Sequence, residues 1–156
     1  MDPADYVRLF TPYASSAAGA LYLVGPDSVP PFVAETVRAL SAFVALAAAY
    51  VHAVYDCAVV RRFYDRVFPK GTPHAAMVAI EVTAHFLPPL LVGPPRDPRA
   101  IAAAYAIVAA WYLAQRDRIH RLYLDEIPIA DYDRLLLGVL PLAAVAWSVA
   151  LKLAGA

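Results

Sequence analysis

The sequence predicts an all-α fold: a polytopic membrane bundle of four to five transmembrane helices in one domain, residues 1–156. Three observations predict it. Hydrophobic residues make up 62% of the chain and its mean hydropathy is +0.56, well beyond the ~45–50% apolar content usual for a soluble domain. Five stretches of about 17–22 residues are almost free of charge, long enough to cross a hydrocarbon layer as helices. The few ionisable residues inside those stretches recur at helical spacing, as they must if they are to share one protected face.

The first stretch, 9–25, is uncharged but interrupted by Pro12 and Ser15-Ser16 and closed by Gly25-Pro26. At 17 residues it either just spans or lies in the interface. Pro30-Pro31 opens the second helix, whose apolar body is expected over 39–60 with only His52 and Asp56 as ionisable groups. Pro69-Lys70-Gly71 breaks the chain after it. The third stretch, 73–93, holds Glu81 and His85 at i and i+4. A carboxylate in mid-span costs roughly 2.5–3.5 kcal/mol on insertion scales, so this face must turn toward other helices. Gly93-Pro94-Pro95-Arg96-Asp97-Pro98 makes a polar turn into the fourth stretch, 99–115, whose terminal Arg99 and Arg116 reach the interfaces. A charged connection, 116–134, leads to the fifth stretch, 135–153.

Arg8, Arg61, Arg62, Arg66, Lys70, Arg116, Arg118, Arg121 and Arg134 are nine of the 13 basic residues and fall on one side of a five-span topology. That side is expected to be cytoplasmic. Counted from that edge, His52 and Glu81 are both roughly 12–14 Å deep. The two helices therefore offer His52/Asp56 and Glu81/His85 to one interior, with Tyr55, Thr83, Tyr105, Trp111 and Tyr112 among the side chains available as walls.

Several uses of such a cluster remain open. The four groups can pair simply to join helices. His and carboxylate at i, i+4 also suit zinc or iron, although di-iron bundles use Glu-x-x-His and more carboxylates. Cys57 is the only cysteine, which excludes an internal disulfide. Zero formal net charge gives no basic surface for nucleic acid. A cleavable signal peptide is not expected, because Asp2, Asp5 and Arg8 precede an apolar stretch lacking the usual basic flank.

The order His52-x-x-x-Asp56, Glu81-x-Thr83, Pro88-Pro89-Leu90 and Arg96-Asp97-Pro98-Arg99-Ala100-Ile101 resembles the EXPERA domain, found in the emopamil-binding sterol isomerase and the sigma-2 receptor. The resemblance covers residues 52–101 and extends by helix order to Pro141. It departs at Asp56, where the isomerase has Glu, and at Thr83, two residues after Glu81 rather than three. The approach to Pro141 also lacks the Asn and Trp of the isomerase.

The resemblance implies a protein of the endoplasmic reticulum membrane that binds a sterol or another hydrophobic small molecule, including cationic amines that mimic a carbocation. It implies sterol double-bond isomerisation, with His52, Asp56 and Glu81 catalytic and Thr83, His85, Tyr55, Tyr105, Tyr112 and Trp111 contacting substrate. No cofactor and no metal are expected. Membrane lipids are the surrounding partners, and a homodimer is left open. A non-enzymatic sterol-binding or trafficking protein is the alternative, and a proton-coupled transporter or structural membrane subunit is the third.

Overall fold

The computed structural model describes residues 10–55, 61–62, 65, 68–123 and 128–155, with the backbone alone for 120–123. Every regular element among them is helical. Helix α1 (Phe10–Val24) buries Ala14, Ala18 and Leu21, an i, i+4, i+7 stripe that lays one face against the bundle. It ends at Gly25, whose φ of 85° lies in the left-handed region that glycine enters without a Cβ clash.

Helix α2 (Pro31–Val54) starts with proline at its first position, where the missing N–H costs nothing. It opens eight residues before the expected apolar body and ends at Val54, with Tyr55 extended at φ −109° and ψ 141°. Buried Ser41 donates its Oγ–H to Val37 O at 2.9 Å, so its hydroxyl needs no other partner.

The third apolar stretch is not one helix. It divides into α3 (His74–His85) and α4 (Leu87–Val92) at Phe86, because Pro88 and Pro89 carry no N–H for the carbonyls four residues back. Gly93, at φ 77°, closes α4 and turns the chain toward α5 (Pro98–Tyr123).

Asp97 caps α5: its Oδ1 accepts from Arg99 N at 2.9 Å, while Ile101 N donates to Asp97 O. With proline at the first helical position, this is a well-specified helix start. Helix α5 runs eight residues beyond the expected span, into the charged connection. Helix α6 (Ile129–Arg134) passes through a π turn (Leu135–Val139) into α7 (Leu140–Leu153). The π turn comes just before Pro141, where the ladder must skip a donor, and Leu140 N reaches back to Leu135 O.

Helices α2 and α5 make the central pair. Glu35 meets Asp97 and Phe43 meets Tyr105 at the same sequence offset, so the two helices run parallel. Alanines let them approach: Ala39, Ala100 and Ala104 are 0–1% exposed, as expected where small residues set the spacing of membrane helices. Helix α1 and the α3–α4 pair cover one side of this core, and α7 covers the other.

Among the described residues, three helical segments are long and apolar enough to cross a membrane: Pro31–Val54, His74–Val92 and Ile129–Leu153. Helix α1 has 15 described residues. The apolar side of α5, with Ile101, Ala104, Val108 and Tyr112, is turned inward.

Candidate functional site

The sequence of α3 presents Met77 and Glu81 on one face, and these are the two buried residues of the helix. Glu81 is 9% exposed. Across from it, in the last turns of α2, His52 Nε2 lies 2.7 Å from Glu81 Oε1. The contact forms because α2 descends and α3 rises, which sets the two residues at one depth. The pair straddles the edge of the bundle, since the His52 side chain is 41% exposed and that of Glu81 10%. An imidazole and a carboxylate at this distance are joined by a hydrogen bond, stronger where the imidazole is charged.

His85, one turn above Glu81, has its ring tied at both nitrogens. Nδ1 lies 2.8 Å from Glu81 O, and a carbonyl only accepts, so Nδ1 carries the proton. Nε2 lies within hydrogen-bonding distance of the Thr11 hydroxyl, at 3.3 Å. Beside it, Ser15 Oγ donates to Ala84 O at 2.5 Å. Ala84 O is the carbonyl that Pro88, having no N–H, leaves without its usual donor.

The described aromatic candidates make polar and ring contacts with other residues, and Tyr55 also packs against Met77, one turn before Glu81. Thr83 stands about 200° around the helix from Glu81 and is exposed. With Ser15, Gly19, Ala79, Ile80 and Leu87 it lines an open apolar groove of about 480 Å3 on the outer surface. The Tyr55 hydroxyl donates to Asp131, which also holds Arg134 at 2.7 Å. Tyr112, 1% exposed, donates to Asp133 Oδ1 at 2.7 Å, while Arg116 grips both oxygens of the same carboxylate at 3.0 and 2.7 Å. Tyr105 packs edge-on against Phe43, and Trp111 against Phe10. These aromatic residues therefore serve the packing of α5 and the anchoring of α6, because a buried phenol takes the nearest strong acceptor. Asp56 lies outside the described residues. Among the described residues, no three His, Cys, Asp or Glu side chains are grouped to hold a metal ion.

At the opposite end, Glu35 accepts from Arg96 N and Asp97 N at 2.5 and 3.2 Å and pairs with Arg38. Arg38 Nε reaches Val92 O at 2.7 Å, and Trp147 Nε1 reaches Pro95 O at 3.2 Å. One carboxylate thus ties the α4–α5 turn to α2. The side-chain hydrogen bonds of Arg99 hold the Asp97 carboxyl below its usual range.

Sequence reasoning passed over Thr11, Ser15, Glu35, Asp131 and Asp133. Pro88-Pro89 carried a usable signal, because two orphaned carbonyls within a membrane-length helix require donors from a neighbour. Comparison with protein-family models, curated proteins and solved structures finds no match to this chain.

Proposed function

We propose that this chain is a membrane-embedded, EXPERA-like protein that binds a sterol or a lipid of similar shape, with the ligand's polar end toward His52 and Glu81. The 2.7 Å His52–Glu81 contact carries this reading. A carboxylate buried in a helix of membrane-spanning length is costly, and positions of this kind mark ligand or proton pathways in membrane proteins. The exposed side of His52 leaves the pair approachable from the bundle surface.

The same reading takes four helices as full crossings, with α1 as a fifth helix beside them. Helix α5, at 26 residues, is about 39 Å long and exceeds the ~30 Å hydrocarbon layer. The endoplasmic reticulum membrane is the location proposed with it.

Sterol double-bond isomerisation is the second reading, favoured by a donor and an acceptor in direct contact. Protonated His52 would give its proton to a ring alkene carbon. Glu81 would stabilise the cation and then take a proton from a neighbouring ring carbon, placing the double bond anew, and that proton would return to His52 across the 2.7 Å contact. Mass spectrometry of lipids that co-purify with the protein, before and after incubation with a ring-unsaturated sterol, tests both readings. A bound sterol returned unchanged supports binding alone, and one of equal mass with a shifted double bond supports isomerisation. Recovery of bulk bilayer lipid only, with no sterol retained, defeats both.

A further inference from the structure

Within the segment that carries Glu81, the helical ladder is broken by two adjacent prolines. Pro88 and Pro89 remove the donors for Ala84 O and His85 O, α3 stops at His85, and Phe86 sits at φ −107° and ψ −28°. In a bilayer no water is present to satisfy freed carbonyls, so such a break persists only where protein supplies the partner. Helix α1 supplies it for Ala84 O, to which Ser15 Oγ donates, and Thr11, one turn earlier on the same face of α1, bonds His85 Nε2. The other nitrogen of the His85 ring donates to Glu81 O. The polar contacts therefore run from α1 onto the turn that begins at Glu81.

The buried face of that helix is narrow. Met77 and Glu81 are the buried residues of α3, with Met77 packed against Val51, Tyr55 and Phe68, and Val78, Ile80 and Val82 face outward. Rotation of the last turn of α3 sets the direction of the Glu81 carboxylate.

We propose that Ser15 and Thr11 are positioning residues for Glu81: by capping Ala84 O and the His85 ring, α1 sets the rotation of the α3 end that points Glu81 at His52. The proposal rests on Glu81 being the working carboxylate of the site, and its test needs no lipid ligand. A hydrophobic carbodiimide adds to a protonated carboxyl in an apolar setting, so the pH profile of Glu81 labelling, located by peptide mass, reports the surroundings of that carboxylate, His52 and His85 included. Wild type, Ser15→Ala, Thr11→Val, Ser15→Thr and Ser28→Ala are compared in liposomes after helicity and monodispersity have been checked.

Ser15→Ala and Thr11→Val should change the labelling rate at a given pH by about fivefold, the factor that matches loss of one buried hydrogen bond. Ser15→Thr should restore it. Ser28→Ala, whose hydroxyl bonds Val24 O on an exposed turn, should leave it unchanged. Folded variants that label like wild type at every pH overturn the proposal. If Ser15→Ala does not fold, Thr11→Val decides, because it leaves the Ala84 cap in place. A shifted profile in a protein that retains no sterol supports the positioning role while defeating the lipid-binding reading, and the reverse pattern does the opposite.

Discussion

His52 Nε2 and Glu81 Oε1 lie 2.7 Å apart across two antiparallel helices, and the pair joins residues 29 positions apart in the chain. The imidazole is the more accessible partner and the carboxylate the more protected one. In the proposed lipid-binding role, a ligand would meet His52 first and Glu81 behind it.

Replacing Glu81 by Gln keeps the shape and hydrogen-bonding capacity and removes the charge. Binding of a cationic amphiphilic amine should weaken by about 2–5 kcal/mol, against about 1 kcal/mol for a neutral sterol. Radioligand competition on purified protein makes the comparison. Equal, small losses for the two ligands would reduce Glu81 to a structural partner of His52.

Tyr112 is expected to matter for stability. Tyr112→Phe removes the hydroxyl that donates to Asp133 and should cost about 0.5–1.5 kcal/mol. Tyr105→Phe serves as the control, since the Tyr105 ring acts by packing on Phe43. Thermal unfolding in one detergent should rank Tyr112→Phe below both Tyr105→Phe and wild type, and an identical rank for the two variants would contradict the assignment.

Close approach of α2 and α5 rests on small residues. Ala104 has no exposed surface, so Ala104→Leu forces the helices apart and should cost about 1–3 kcal/mol. Ala102→Leu, on an exposed position of the same helix, should be close to neutral. The measurement is the denaturant midpoint of the two variants, and equal midpoints would refute the α2–α5 contact.

Acid should loosen the start of α5. The Asp97 carboxyl is held below its usual 3.8 by the hydrogen bonds of Arg99, so its contribution is complete above that value. It is lost as pH falls through the lowered folded value. Wild type should therefore lose more stability than Asp97→Asn between about pH 4 and pH 2. Parallel acid titrations of the two proteins would speak against this role.

Sidedness is open to direct measurement. Basic residues cluster in the 61–71 and 116–134 segments, and the charge rule for membrane proteins predicts that Lys70 and Arg118 face the cytoplasm. Cysteines placed at these positions should react from that side in sealed vesicles, and labelling only from the opposite side would invert the topology.

Much of the helical layout was legible in the chain itself. Apolar runs bounded by Gly25-Pro26 and Gly93-Pro94 specify where α1 and α4 stop, because proline and glycine act on their own backbone, whereas α2 ends at Val54, well before Pro69-Lys70-Gly71. Counting residues from the basic loops likewise places His52 level with Glu81, since helical rise is a constant. The break at Phe86 is written in Pro88-Pro89, though a hydropathy run alone reads as one uninterrupted span.

Tertiary structure alone decided the partners. Ser15 capping Ala84 O, Tyr112 on Asp133 and Glu35 on the Asp97 turn join residues 69, 21 and 62 positions apart. Each depends on how far one helix is rotated against the next. Rotation also drew Tyr55 to Asp131, whereas the opposite faces of Glu81 and Thr83 follow from their i, i+2 spacing on one helix. Hydropathy and spacing report the conformation of a segment, whereas a hydrogen-bond partner is chosen by which face the whole bundle presents to it.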